Sequence, residues 1–274
     1  MTLYKRLAID SWEYLFLGFN ATTREQHPML AKSPHCLLQL VFDPAREFNN
    51  RAEQGARPIG YWKIALSVAD LKIAHGRLFE KGITVNDPFQ VPDVAYLCHC
   101  EDPDGYCIEL IQHRFQQNHV DLAPDDRFAL GTPTSFSLIT LRVRDPQQSV
   151  AFYESHLGLR LVSKQVVTHR GFTLYFLSCD AEKPPSSDIE DIGMREWLWQ
   201  RPYALLELQH VWGTENEPVG YYDTDRTTGF RRIGLLSKTL ATSIHGRKDH
   251  AVFNCPSMVI KDPDGYSVEV LKLG

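Results

Sequence analysis

Apolar and polar residues alternate with period two over many short runs of this chain, which predicts half-buried strands. Clear cases are 107–111 (CIELI), 137–143 (SLITLRV), 205–208 (LLEL) and 267–271 (SVEVL). Two segments break into a helical period. In the first, Asp145 suits an N-cap, Pro146 the first turn and Gly158 a left-handed C-terminal cap. The second is predicted over 70–81, stopped by Gly82. Each helix follows a strand (137–143 and 63–68) and precedes further strand-like runs. The unit is therefore β-α-β-β-β, the class is α+β, and the full length accommodates four units.

The chain repeats itself. EDPDGYCIEL at 101–110 returns as KDPDGYSVEV at 261–270, and Asp104 and Asp264 each precede a glycine in a hairpin signal. Runs 59–66 and 229–235, 37–40 and 205–208, and 14–17 and 174–177 match as well, at an offset of about 160 residues. This predicts two similar domains, 1–113 and 135–274, joined by a linker over 114–134 rich in Pro, Asp and Gln. Two units are short. Lys63 and Asp102 are 39 positions apart, but Arg232 and Asp262 only 30, so the helix around 239–244 is expected to be reduced or lost. Residues 1–5 align with 159–163, so the first repeat lacks its opening strand and helix. The sheet edge this exposes is expected to favour a homodimer.

Composition narrows the function classes. The 274 residues are 43% hydrophobic and 23% charged, enough for a core and too ordinary for disorder. A net charge of −5 argues against nucleic acid or an anionic membrane as partner. No apolar run reaches the roughly 18 residues of a membrane span, and the N-terminus carries no secretion signal. The six cysteines form no CxxC pair, so reduced thiols and a cytoplasmic location are expected.

The repeats and their paired DPDGY turns resemble the vicinal oxygen chelate superfamily, which includes glyoxalase, bleomycin resistance and dioxygenase proteins. The second half is most similar to glyoxalase I, the lactoylglutathione lyase. The residues that carry this are 140–164 (TLRVRDPQQSVAFYESHLGLRLVSK), 172–179 (FTLYFLSC), 204–215 (ALLELQHVWGTE), 229–234 (GFRRIG) and 262–271 (DPDGYSVEVL). The resemblance implies tandem domains of β-α-β-β-β repeats and a divalent metal, Zn or Ni, in a cup of strands. It implies isomerisation of the methylglyoxal–glutathione hemithioacetal, with a glutamate ligand as base.

By that resemblance the metal and catalytic candidates are Glu207 and Glu269, with Glu109 as the matching residue of the first half. The first-strand ligand position holds Leu138, and the histidine positions hold Lys63 and Arg232; the first-half glutamate position holds Gln39. Arg142 matches the arginine that grips the glutamyl carboxylate of glutathione, and Arg232 and Lys63 are further candidates for substrate contact. A cation beside a dication repels it, whereas the same cation beside buried carboxylates balances them. Lys63 and Arg232 are therefore expected to replace the metal as internal counter-ions. The opposing expectation keeps a metal on Glu207, Glu269 and Gln209, which lies two residues along the same strand face as Glu207.

Plain readings stand beside these. Glu109, Glu207, Glu269, Arg232 and Arg142 could be ordinary strand residues, His210 a surface histidine, and Cys98 and Cys100 core and edge. Two functions remain open: a lactoylglutathione lyase, or a non-catalytic pseudoenzyme that binds a small thiol conjugate such as a glutathione adduct. A ring-cleaving dioxygenase needs two histidines on iron, and no histidine holds those positions.

Overall fold

In a computed structural model of the chain, the described residues are 1–19, 36–45, 57–224, 229–237, 248–250 and 255–272. Packing groups them into a terminal unit (1–59 with 218–274) and a central unit (60–217).

The terminal unit opens with β1 (Thr2–Ile9), β2 (Trp12–Gly18) and β3 (Leu38–Phe42), an antiparallel sheet in the order β1-β2-β3. The central unit begins with β4 (Tyr61–Val68), α1 (Leu71–Glu80), β5 (Phe89–Val91), β6 (Ala95–Glu101) and β7 (Cys107–Gln112). It continues with β8 (Thr134–Arg142), α2 (Pro146–Leu157), β9 (Arg160–Val167), β10 (Phe172–Ser178), the short α3 (Arg195–Trp199) and β11 (Leu205–Val211). The chain then returns to the terminal unit as β12 (Ile233–Ser237), β13 (Lys248–His250), β14 (Cys255–Lys261) and β15 (Ser267–Lys272), ordered β12-β15-β14-β13.

One eight-stranded sheet, β5-β6-β7-β4-β8-β11-β10-β9, builds the central unit. β4 pairs parallel with β7, and β8 pairs parallel with β11, as a β-α-β-β-β unit requires. These two repeats join where β4 pairs antiparallel with β8. The units of packing are thus not the units of repetition. The second and third repeats share one sheet, and the first and fourth fall in the terminal unit. The segment 114–134, expected as a linker, lies against α1: Leu122 N–H donates to Asp70 Oδ2 at 3.4 Å, and Leu130 packs on the apolar face of that helix.

Local chemistry explains the helices and turns. The Asp145 carboxylate accepts from Gln147 and Gln148 N–H, and Gly158 at φ 70° closes α2. Asp70 accepts from Ile73 N–H and caps α1. The repeated turns each join two antiparallel strands, as the Asp-Gly signal predicts. The first aspartate of each, Asp102 or Asp262, accepts from two backbone N–H groups, while Gly105 and Gly265 take φ 82° and 93°.

The central sheet has two buried faces. On one, Leu71, Ala74 and Leu78 of α1 pack with Val68, Cys98 and Leu110 of the sheet. Ala65, Leu138, Leu174, Phe176, Trp199 and Leu205 pack on the opposite, concave face. Cys100 joins the layer beneath α1, so Cys98 and Cys100 are both core. All six cysteines are free thiols. No helix among the described residues is long and apolar enough to cross a membrane. The expected remnant helix around 239–244 lies outside the described residues.

Candidate functional site

Strand register assembles the concave face into rows. Glu207 on β11 is level with Thr140 on β8, Thr140 with Lys63 on β4, and Lys63 with Cys107 on β7. One step along, Leu205, Leu138, Ala65 and Glu109 form the neighbouring row. Lys63 therefore stands diagonal to Glu109 and one strand removed from Glu207. Its Nζ lies 2.5 Å from Glu109 Oε1 and 3.6 Å from Glu207 Oε1. All three side chains are buried.

Three further residues complete the cluster, and none was named from the sequence. His99 on β6 faces Glu109 across the ladder and places Nε2 2.9 Å from Glu109 Oε2. Thr140 Oγ1 donates to Glu207 Oε1 at 2.8 Å. Trp62 is the third. Tyr61 and Lys63 oppose the adjacent residues Leu141 and Thr140, so Trp62 is the extra residue of a bulge. Trp62 and its neighbour Lys63 consequently both line the concave cleft, with Lys63 Nζ 4.8 Å from the indole centroid. His99 could have been suspected from its alternation with two core cysteines. A bulge leaves no such trace in sequence.

The electrostatics divide the two glutamates. Burial works against the Lys63 charge, but the carboxylates of Glu109 and then Glu207 outweigh it and raise its pKa. Burial also opposes ionisation of Glu109, yet Lys63 and His99 win and hold it below the usual carboxylate range. At Glu207, burial comes first, and with repulsion from Glu109 it overcomes Lys63, so its pKa is raised. Glu109 is thus the fixed anion of the pair and Glu207 the carboxyl that takes up a proton more readily.

These groups floor a cleft that opens to solvent; its enclosed part, about 30 Å³, has room for roughly two waters or one small polar group. Trp62, Phe172 and Trp199 contribute aromatic wall, and Arg170 lines the cleft from an exposed position. Arg142 is next to Gln209 in the ladder; its Nε donates to Gln209 Oε1 at 3.2 Å, and its guanidinium carbon sits 5.4 Å from the Trp62 centroid. Gln209 is buried. His210, expected at the surface, is partly buried and places Nε2 2.8 Å from Glu215 Oε2. In the terminal unit, Arg232 Nη1 lies 2.9 Å from Glu269 Oε2, with the arginine exposed and the glutamate buried.

The donor set of the central cup does not suit a divalent cation. Of its four positions that match family ligands, Leu138 is apolar and fully buried, and Lys63 is an ammonium already held by both carboxylates. A dication placed there would have to displace a cation whose proton the site binds tightly. Among the described residues, no group of three or more His, Cys, Asp or Glu is arranged to hold a metal.

Comparison with known proteins agrees with the architecture. The family model described as the Glyoxalase/Bleomycin resistance protein/Dioxygenase superfamily matches residues 135–270. A lactoylglutathione lyase of Pseudomonas putida is 31% identical over 154 residues, covering 50% of this chain and 84% of that protein. Glyoxalase I of Saccharomyces cerevisiae is 26% identical over 268 residues, covering 88% of this chain and 74% of that one. The crystal structure of glyoxalase I from Zea mays superposes with a TM-score of 0.64 at 16% identity, over 99% of this chain and 83% of that chain. At that identity the likeness is one of fold.

Proposed function

The chain belongs to the glyoxalase/bleomycin resistance protein/dioxygenase superfamily, and from there we propose that its central cup is a small-molecule site that works without a bound dication. Its ligand is a thiol conjugate such as a glutathione adduct. The observation that carries this reading is the Lys63 ammonium, seated between Glu109 and Glu207 at 2.5 and 3.6 Å. The resemblance implies a divalent metal at these positions, and the residues present do not fit one.

What the residues do follows from their chemistry. Lys63 balances Glu109 and keeps the floor from carrying two unopposed buried charges. Trp62, Phe172 and Trp199 offer apolar surface to the substituent of a conjugate. Arg170 offers a cation to a carboxylate of a peptide-like tail, and Arg142 is the second candidate for that contact.

Thermal-shift titration with S-hexylglutathione tests the reading. A saturable rise in Tm that is lost in a Trp62→Ala variant supports it, and a flat response across thiol conjugates overturns it. The second reading, a lactoylglutathione lyase, draws on the relatives' names and on Glu207, whose raised pKa suits a proton-transfer group. Turnover of methylglyoxal with glutathione, in the presence of Zn, Ni, Co or Mg, would establish that reading in place of the first.

A further inference from the structure

One face of the antiparallel sheet β1-β2-β3 is apolar and exposed. Leu3 is level with Leu17 and Leu17 with Leu38; in the next row Leu15 is level with Leu40, and beyond it Glu13 with Phe42. Alternation turns these side chains to the same side of the sheet. Leu3, Leu40 and Phe42 are 37, 43 and 48% exposed, and Leu15, Leu17 and Leu38 are half-buried. A contiguous group of this size goes beyond the single exposed apolar residues of an ordinary surface.

The chain's own repeats show that such a face is built to be covered. Residues 37–40 correspond to 205–208, so Leu40 matches Leu208, which is fully buried on a strand packed against α2. In the second repeat, Leu110 of β7 is buried in the cluster that α1 covers. Among its described residues the terminal unit contains no helix.

Charge and size indicate what covers the face instead. Its charged side chains, Arg6 and Glu13, pair with each other, so two such faces meet without an unpaired charge. At its border β3 carries no charge, unlike the end strands β1, β9 and β13, and so nothing there repels an identical strand. Three strands of five residues span roughly 14 by 16 Å, and two such faces bury on the order of 1,000 Å², the lower limit of a specific interface. We propose that this face is a dimer interface, on which a second copy of the chain packs its own β1-β2-β3 sheet about a two-fold axis. The association does not depend on the ligand of the central cup.

Sedimentation velocity on the full chain, without ligand, tests this between about 1 and about 100 µM, the range in which an interface of this size associates. The parent is expected to pass from monomer to dimer. Leu40→Asp is expected to weaken the dimer at least about tenfold, with an unchanged circular dichroism spectrum. Phe42→Lys, a second substitution on the same face, is expected to do likewise. Val166→Asp, at an exposed position of β9 in the central unit, makes the same change of charge and is expected to leave the dimer as it was. A parent that is monomeric throughout would overturn the inference and assign the cover to something other than a second copy. A dimer that survives both Leu40→Asp and Phe42→Lys would overturn it as well, by placing the interface elsewhere.

Discussion

The Lys63 ammonium and the Glu109 carboxylate, 46 positions apart in the chain, meet at 2.5 Å with both side chains buried. Desolvating two charges is expensive, and mutual attraction offsets it only while both partners are present. Lys63→Met leaves Glu109 and Glu207 buried side by side without a cation. The expected loss is about 3–5 kcal/mol in chemical denaturation. Adding Glu109→Gln to that variant is expected to recover most of it. A double variant no more stable than Lys63→Met would show that the pair is not coupled.

Lys63→His exchanges the blocking cation for an imidazole donor beside Glu109, Glu207 and His99. Metal binding is expected to appear in this variant and not in the parent. One Co(II) per chain, followed by its visible absorption, is the expected outcome. Absence of Co(II) binding in a folded variant would mean that Lys63 is not what keeps a dication out.

His113 links stability to pH. Burial, followed by the neighbouring Arg114, pushes its pKa down to about 4 from 6.5. The folded value is the lower one, so the unfolded chain takes the proton first as pH falls. The contribution is complete above about 6.5 and is lost progressively toward about 4. The difference is at most about 3 kcal/mol. His113→Gln should flatten the fall in denaturation free energy between about pH 7 and about pH 4.5. An unchanged slope would assign the acid sensitivity to other groups.

Asp145 tests the helix start that its sequence announces. Asp145→Ala removes the acceptor of two backbone N–H groups at the head of α2. A loss of about 1 kcal/mol is expected, with Asp145→Ser recovering most of it. A neutral Asp145→Ala would mean that packing alone sets the start of α2.

Much of this was legible in advance because it is local. Asp145, Pro146 and Gly158 mark a helix by backbone chemistry alone, and the duplicated turns at 102–106 and 262–266 betray the repeat. Lys63, Glu109 and Glu207 could be singled out by position within the repeat. That Lys63 would balance buried carboxylates was expected; that it reaches Glu207 of the next repeat as well as Glu109 of its own could not be read, because it depends on β4 pairing with β8, a choice between repeats that no local pattern encodes. Trp62 escaped notice because its inward turn comes from a bulge, and His99 because its role exists only opposite Glu109.

The most direct test is metal analysis of the full chain, purified without chelator, incubated with excess zinc or nickel and desalted. The expected result is far less than one ion per chain, with Lys63 keeping its place between the two glutamates. One tightly held zinc or nickel per chain, lost on Glu207→Gln, would contradict it.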